Sequence, residues 1–254
     1  MTALSTVRSA IVTGAASGMG RLTSLRLNDR GIKVLAVDFS ADQLEKLAAD
    51  VPAIQTAVVD VRDHDALAAA LAPALDDCDL LVTAAGIGHT GRVLETDNEV
   101  FRKLMEVNYL GTVATVKQVL PGMVTRQRGH IVMYASMAGW VPAPQHAPYN
   151  STKAAVMMFA DCLRLESKNG GVQFTAVCPP AVATPLLDDM PVSKAAAPSW
   201  MPALTPEKVV LSVEKAIESN TFIAIPDLAS KAMWRMRRHT PKLVSTAIGR
   251  LIKS

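Results

Sequence analysis

The chain has 254 residues, half of them hydrophobic and 19% charged, with a formal net charge of +3. That size and composition suit one large folded core and exclude a disordered or fibrous chain. The charge is unevenly placed: seven Lys/Arg stand against Asp227 alone in residues 226–254, so a weakly acidic body ends in a basic tail. A small net charge gives no ground for nucleic acid as a partner.

Short apolar runs alternate with helical patterns, the rhythm of βα units around a parallel sheet. Strands are predicted at Ser9–Thr13, Lys33–Val37, Ile54–Val59, Asp79–Thr83, His130–Tyr134, Val172–Val177 and Thr221–Ile225. Helical spacing is read from the glycines after strand one to Arg30, and at Ala41–Asp50, Asp63–Leu75, Asn98–Val107, Gly111–Arg126, Tyr149–Lys168 and Glu207–Ser219. Residues 179–206 are rich in Pro and Ala and lack periodicity, as a lid over a substrate would. Thr240-Pro241 then opens a helix in which Leu243, Val244, Ala247, Ile248, Leu251 and Ile252 form an apolar stripe beside Lys242, Arg250 and Lys253. Such a basic amphipathic helix can lie on an anionic membrane surface, or dock on its own subunit or a neighbour.

The expected architecture is α/β: a single doubly wound parallel sheet, Rossmann-like, flanked by helices over residues 1–226, with a C-terminal basic helical tail over 227–254. Cys78, Cys162 and Cys178 show no metal-ligand spacing, so reduced thiols and no metal are expected. No secretory signal or run of about 18 apolar residues is present, and a cytoplasmic protein, membrane-associated at most through its tail, is expected.

Thr13-Gly14-Ala15-Ala16-Ser17-Gly18-Met19-Gly20 follows strand one. Glycines there let backbone approach a pyrophosphate, and the next helix offers unpaired N–H groups and its positive dipole end. Asp38 ends strand two, where a carboxylate can accept bonds from both ribose hydroxyls of the adenosine. Against a 2′-phosphate, one like-charge pair at ~4 Å costs about 4 kcal/mol at an effective dielectric near 20, so NAD(H) is expected over NADP(H). The alternative for Asp38 is a cap on the helix beginning at Ala41.

This glycine spacing, with Tyr149-Asn150-Ser151-Thr152-Lys153 downstream, resembles the short-chain dehydrogenase/reductase family over roughly residues 7–226. The resemblance implies a catalytic set of Asn108, Ser136, Tyr149 and Lys153. It also implies cofactor contacts at Gly14, Ser17, Gly18, Met19, Gly20, Asp38, Asp60, Val61, Ala85, Gly86, Pro179, Val182 and Thr184, shared by Tyr149 and Lys153. Tyr149 would be the acid/base, Ser136 would hold the substrate oxygen, and Asn108 would anchor a proton-relaying water. Helical spacing lets Tyr149 and Lys153 share one pocket. One ammonium at 4–5 Å lowers a phenol by roughly 3–4 kcal/mol, partly offset by burial, so lysine together with the charged nicotinamide ring is expected to make Tyr149 acidic. A dimer or tetramer is implied as well.

Two positions depart from the family pattern: Thr83-Ala84-Ala85-Gly86 stands in place of Asn-Asn-Ala-Gly, and Pro179-Pro180 in place of Pro-Gly. The expected pocket walls include Gly88-His89, Met137–Val141, Trp140, His146, Leu186, Leu187, Met190, Trp200 and Met201, a mainly apolar set. His146 has a second reading as an ordinary exposed histidine. The wall points to an apolar or aromatic secondary alcohol or ketone, steroid-like in size. The alternatives are a 3-ketoacyl-type reductase and a non-catalytic NAD-binding or membrane-docking protein.

Overall fold

Strands that are apolar on both faces must lie between two layers of helices. Seven strands, β1 (Ser9–Thr13), β2 (Lys33–Asp38), β3 (Gln55–Val58), β4 (Leu80–Thr83), β5 (Gly129–Tyr134), β6 (Val172–Val177) and β7 (Ile223–Ala224), form one sheet, whose central strands are buried in this way while the edge strand β3 is largely exposed. Their order is β3-β2-β1-β4-β5-β6-β7, and every pairing is parallel. The computed structural model describes residues 3–167, 170–190 and 203–251.

Alternation along the strands divides the core in two. Ile11, Leu81, Ile131 and Phe174 face one layer, where they meet Leu67 and Leu71 of α3 (His64–Leu71), Val116 and Val119 of α5 (Gly111–Thr125), and Val156 and Ala160 of α6 (Ala147–Glu166). Val12, Val34, Leu80 and Val132 face the other, against Leu27 of α1 (Gly18–Asp29), Leu44 and Leu47 of α2 (Ala41–Asp50), and Val209 and Val213 of α8 (Pro206–Glu218). After β3 the chain crosses the sheet to place β4 on the other side of β1. The carboxyl ends of β1 and β4 therefore bound the crevice at which a doubly wound sheet binds ligands.

The structure departs from the sequence expectation in four places. The helix expected to reach Leu75 stops at Leu71, and a 3₁₀ turn over Ala72–Ala74 follows, because Pro73 cannot extend the α ladder. The two helices expected around residues 98–126 are one rod: α4 (Asn98–Met105) runs through a π turn, Glu106–Leu110, into α5. The last strand shortens to two residues. An unanticipated helix, α9 (Leu228–His239), precedes the expected α10 (Pro241–Leu251).

The tail docks on its own subunit through one side. Ser230 is fully buried, and Met233 and Trp234 pack on the core of the first layer. Trp234 meets Trp140 edge-on at 6.2 Å, and Arg237 Nε donates to the Trp140 carbonyl at 3.3 Å. Arg237 also donates to the Pro241 carbonyl (3.1 Å) and Ser245 Oγ (3.0 Å), which fastens α10 to α9, and Val244 is buried. No helix of the described residues is long and apolar enough to cross a membrane.

His130 lies fully buried in β5 with its Nε2 2.9 Å from Thr175 Oγ1, whose own hydrogen goes to the Thr221 carbonyl at 3.0 Å. The imidazole is therefore the donor of the first bond, through Nε2–H. Burial pushes its pKa from 6.5 down to about 4. The unfolded chain binds this proton first as pH falls, so the neutral ring's stabilisation is complete above pH 6.5 and is lost progressively toward pH 4. Denaturant melts should show about 2 kcal/mol lost at pH 5 from this group, a loss absent from His130→Gln. At the tail, Trp234→Ala should cost about 2 kcal/mol in the same measurement, for a half-buried indole.

Candidate active site

The glycine turn is shaped by close approach of backbone. Gly14 has φ +68°, and a Cβ there would lie 2.5 Å from the Ala85 nitrogen and 2.6 Å from the Ala84 carbonyl carbon, so the turn rests on the end of β4. A Cβ at Gly20 would lie 2.0 Å from the Gly14 carbonyl oxygen. Ser17, with extended backbone, is the N-cap of α1, and its side chain makes no capping bond. The N–H groups of the first turn, which includes Gly18, Met19 and Gly20, have no acceptor within the helix. Thr184 lies against Gly18, where a Cβ would approach Thr184 Cγ2 to 3.3 Å. Thr184 is itself the N-cap of the short α7 (Pro185–Asp188). Val182, two residues before it, bridges to Leu204.

Asp38 is buried and does two structural jobs. Its Oδ2 accepts from the Ala16 N–H and its Oδ1 from the Ser40 N–H, each at 3.0 Å. The first bond ties the glycine turn to β2, and the second turns the chain toward α2, whose N-cap is Ser40, so Asp38 does not itself cap that helix. A carboxylate oxygen that accepts one N–H keeps a lone pair for a second donor. Asp60 is paired with Arg62, whose Nε and Nη2 both donate to its Oδ2, at 2.9 and 2.6 Å. Those bonds hold its carboxyl below the usual carboxylate range. Val61 is buried against Gly111.

The four residues of the expected catalytic set converge beside the carboxyl ends of β4 and β5. Ser136 follows β5 and caps a 3₁₀ turn, its Oγ accepting from the Ala138 N–H at 3.1 Å. The Pro179 carbonyl accepts the Met137 N–H at 2.9 Å, which fixes this turn to the chain leaving β6. Tyr149 and Lys153 stand one turn apart on α6, both buried, with the ammonium 5.6 Å from the centre of the phenol ring. Lys153 Nζ donates to the Tyr134 carbonyl at 2.8 Å. A Cβ on Gly86 would lie 3.3 Å from Asn108 Oδ1 and 3.6 Å from Lys153 Nζ, so this glycine lets the loop after β4 pass between them.

Asn108 sits in the π turn and is held by its side chain. Its Nδ2 donates to the Ile87 carbonyl and to Thr152 Oγ1, both at 3.0 Å, and its Oδ1 accepts the Ile87 N–H at 2.8 Å. Thr152 in turn donates to the Tyr149 carbonyl at 2.8 Å. The amide thus acts as a strut between the loop after β4 and the turn of α6 that carries Tyr149. Both amide hydrogens are taken, so a water anchored by this side chain would donate to the lone pair left on Oδ1.

Burial dominates the electrostatics of the protein by itself. It pushes the Tyr149 phenol up to about 12, a rise that its bond with Ser136 opposes, and pulls the Lys153 ammonium down to about 8.

The apolar surroundings of Tyr149 are Leu104, Met190, Ile87, Val100, Ala138 and Leu186. Met190 covers Gly88, where a Cβ would lie 2.6 Å from its sulfur. Other expected wall residues lie elsewhere. Trp140 packs with Trp234 in the core cluster of the first layer, and Leu187 is buried outside the tyrosine cluster. His146 is buried rather than exposed, as the N-cap of α6, with Nδ1 2.6 Å from the Pro144 carbonyl. Trp200 and Met201 fall outside the described residues. Sequence reasoning missed Thr152, although it lies within the quoted motif, and it missed Ile87 and Tyr134, which act through backbone atoms and leave no side-chain signal.

Comparison with known proteins agrees with this fold. A profile described as short chain dehydrogenase matches residues 8–194. Dehydrogenase/reductase SDR family member 7B of Bos taurus is 33% identical over 195 residues, 71% of this chain and 60% of that protein. The chain thus spans about 60% of the length of the mammalian relatives it matches. The 2-dehydro-3-deoxy-L-rhamnonate dehydrogenase (NAD(+)) of a Sphingomonas strain is 36% identical over 191 residues, 74% of this chain and 77% of that one. A crystal structure of a short chain dehydrogenase from Burkholderia cenocepacia in complex with NADP superimposes with a TM-score of 0.85 at 24% identity, covering 97% of this chain and 99% of that one. From the matched profile, the relatives and the shared fold, the chain belongs to the short-chain dehydrogenase family.

Proposed function

We propose that the protein is an NAD(H)-dependent dehydrogenase that interconverts an apolar secondary alcohol and its ketone, with Tyr149 as the acid/base. The observation that carries this reading is the placement of one phenol: buried in an apolar cluster, facing the Ser136 hydroxyl, with the Lys153 ammonium beside its ring. The glycine turn, the first turn of α1, Asp38 and Thr184 would hold the dinucleotide, whose nicotinamide supplies or accepts the hydride.

In the oxidative direction Ser136 Oγ–H donates to the substrate oxygen and orients it. The Tyr149 phenolate takes the hydroxyl proton as the carbon–hydrogen bond breaks, and in the reductive direction the phenol returns it. Lys153, pinned by the Tyr134 carbonyl, stabilises the phenolate. A phenol that burial alone holds near 12 needs further positive charge to work near neutral pH, and oxidised nicotinamide carries it. Asn108 and Thr152 keep the first turn of α6 in register with the loop after β4.

Two features support the finer assignments. The lone pairs left on Asp38 suit the adenosine ribose hydroxyls and repel a 2′-phosphate, which favours NAD(H). The residues packed about Tyr149 are aliphatic or thioether, so an apolar ketone fits better than an acidic sugar, the class named for the Sphingomonas relative. A carboxylate substrate would need a cation there besides Lys153.

Tyr149→Phe should lower kcat by about 10³-fold with aliphatic or alicyclic secondary alcohols. NADH binding, followed by fluorescence, should persist, and near-normal turnover would overturn the acid/base assignment. Asp38→Asn should raise the ratio of kcat/KM for NADP over NAD by roughly ten- to a hundredfold, less at high salt. A wild-type enzyme already preferring NADP would refute the cofactor reading.

A further inference from the structure

Helix α9 has two unlike sides. Ser230, Met233, Trp234 and Arg237, spaced three and four apart, form the docked side. The opposite side presents Leu228, Lys231 and Arg235 at spacings of three and four, with Leu228 82% exposed. At the start of α10, Lys242 and Leu243 are exposed as well, the leucine by 61%. No Asp or Glu occurs between Leu228 and Gly249. Among the described residues, Lys231, Arg235 and Lys242 make no ion pair, whereas Arg21, Arg26, Arg30, Arg62, Arg128 and Arg164 of the body do.

We propose that the outward side of α9, continued by Lys242 and Leu243, is a docking surface for an anionic lipid bilayer. Unpaired cations without a neighbouring acid complement a surface of like-signed headgroups, where they stay in the hydrated headgroup layer. The exposed leucines decide between partners. A nucleic acid backbone is met by cations alone and gains nothing from an aliphatic side chain between them. A bilayer interface takes both, the charge at the headgroups and the leucine just beneath them. The docked side fixes the helix on the body, so the surface exists before any lipid is met and lies along the interface plane rather than across it.

The test uses the full chain, because α9 is part of the folded body and its removal would uncover Trp140 and the core surface that Met233 and Trp234 cover. Flotation with phosphatidylcholine vesicles, with and without about one-third phosphatidylserine, measures binding at low and at physiological salt. Three proteins are compared: the wild type, the pair Lys231→Glu/Arg235→Glu, and Leu228→Ser. None of these side chains touches the site described above, so thermal melting and NADH binding should be unchanged and serve as folding controls. The proposal expects binding to the phosphatidylserine vesicles only, weakened about tenfold or more by the charge pair and several-fold by Leu228→Ser. It is overturned if the wild type does not distinguish the two vesicles, or if neither variant weakens binding. It is equally overturned if a duplex oligonucleotide binds as tightly and only the charge pair matters, which marks a polyanion site. Self-association of the wild type that Leu228→Ser abolishes would assign the surface to a second copy of the chain instead.

Discussion

The site depends on a single side-chain amide. Asn108 holds both backbone groups of Ile87 and the hydroxyl of Thr152, and Thr152 holds the Tyr149 carbonyl. Three segments that the chain reaches separately, the loop after β4, the π turn and the first turn of α6, are thereby set at fixed distances. Buried amides of this kind are costly when half satisfied, so all three partners must be in place together. The π turn is what aims Asn108 at them: the extra residue in that turn rotates the side chain away from the helix's regular rows.

Around that strut, the parallel sheet supplies everything else in order. β1 and β4 are neighbours although β2 and β3 lie between them in sequence, so the glycine turn after β1 lands on the Ala84–Ala85 backbone after β4. The alanines that replace the family's amides there leave this contact intact, because it is made by main-chain atoms. Asp38 joins the turn from the other side, one oxygen on Ala16 and one on Ser40. The carboxylate that reads the ribose in the proposed complex is thus also a structural tie.

What could be read from the sequence was what periodicity and special backbone encode. β1, α2 and β6 have the predicted limits, and the glycine spacing and the four-residue step from Tyr149 to Lys153 led to groups that do meet. Continuity between α4 and α5 was not legible, since Val107–Gly111 looks like a break and a π turn has no residue signature. α9 was missed for a different reason. Its docked side is Ser230, Met233, Trp234 and Arg237, a stripe in which only two members are apolar, and the half-buried arginine works through its stem and hydrogen bonds. The wall residues were the least legible. Trp140 has the composition of a substrate contact, yet its partner lies almost a hundred residues downstream, and nothing local signals that pairing. The degree to which burial raises the Tyr149 phenol was not legible either, because pairwise attraction can be estimated from spacing, whereas the extent of burial cannot.

The contact between Trp140 and Trp234 has an implication for how this enzyme can vary. Trp140 ends the short turn that Ser136 begins, and Gly139 within it lies against the Lys153 backbone, where a Cβ would come within 2.8 Å of the carbonyl oxygen. Positions 140 and 234 are consequently epistatic: a change in one indole alters which residues are tolerated at the other, and both alter the seat of the serine. Grafting the C-terminal segment of a homologue onto this body would transplant half of an aromatic pair, and the chimera would inherit a turn fitted to a side chain it no longer meets.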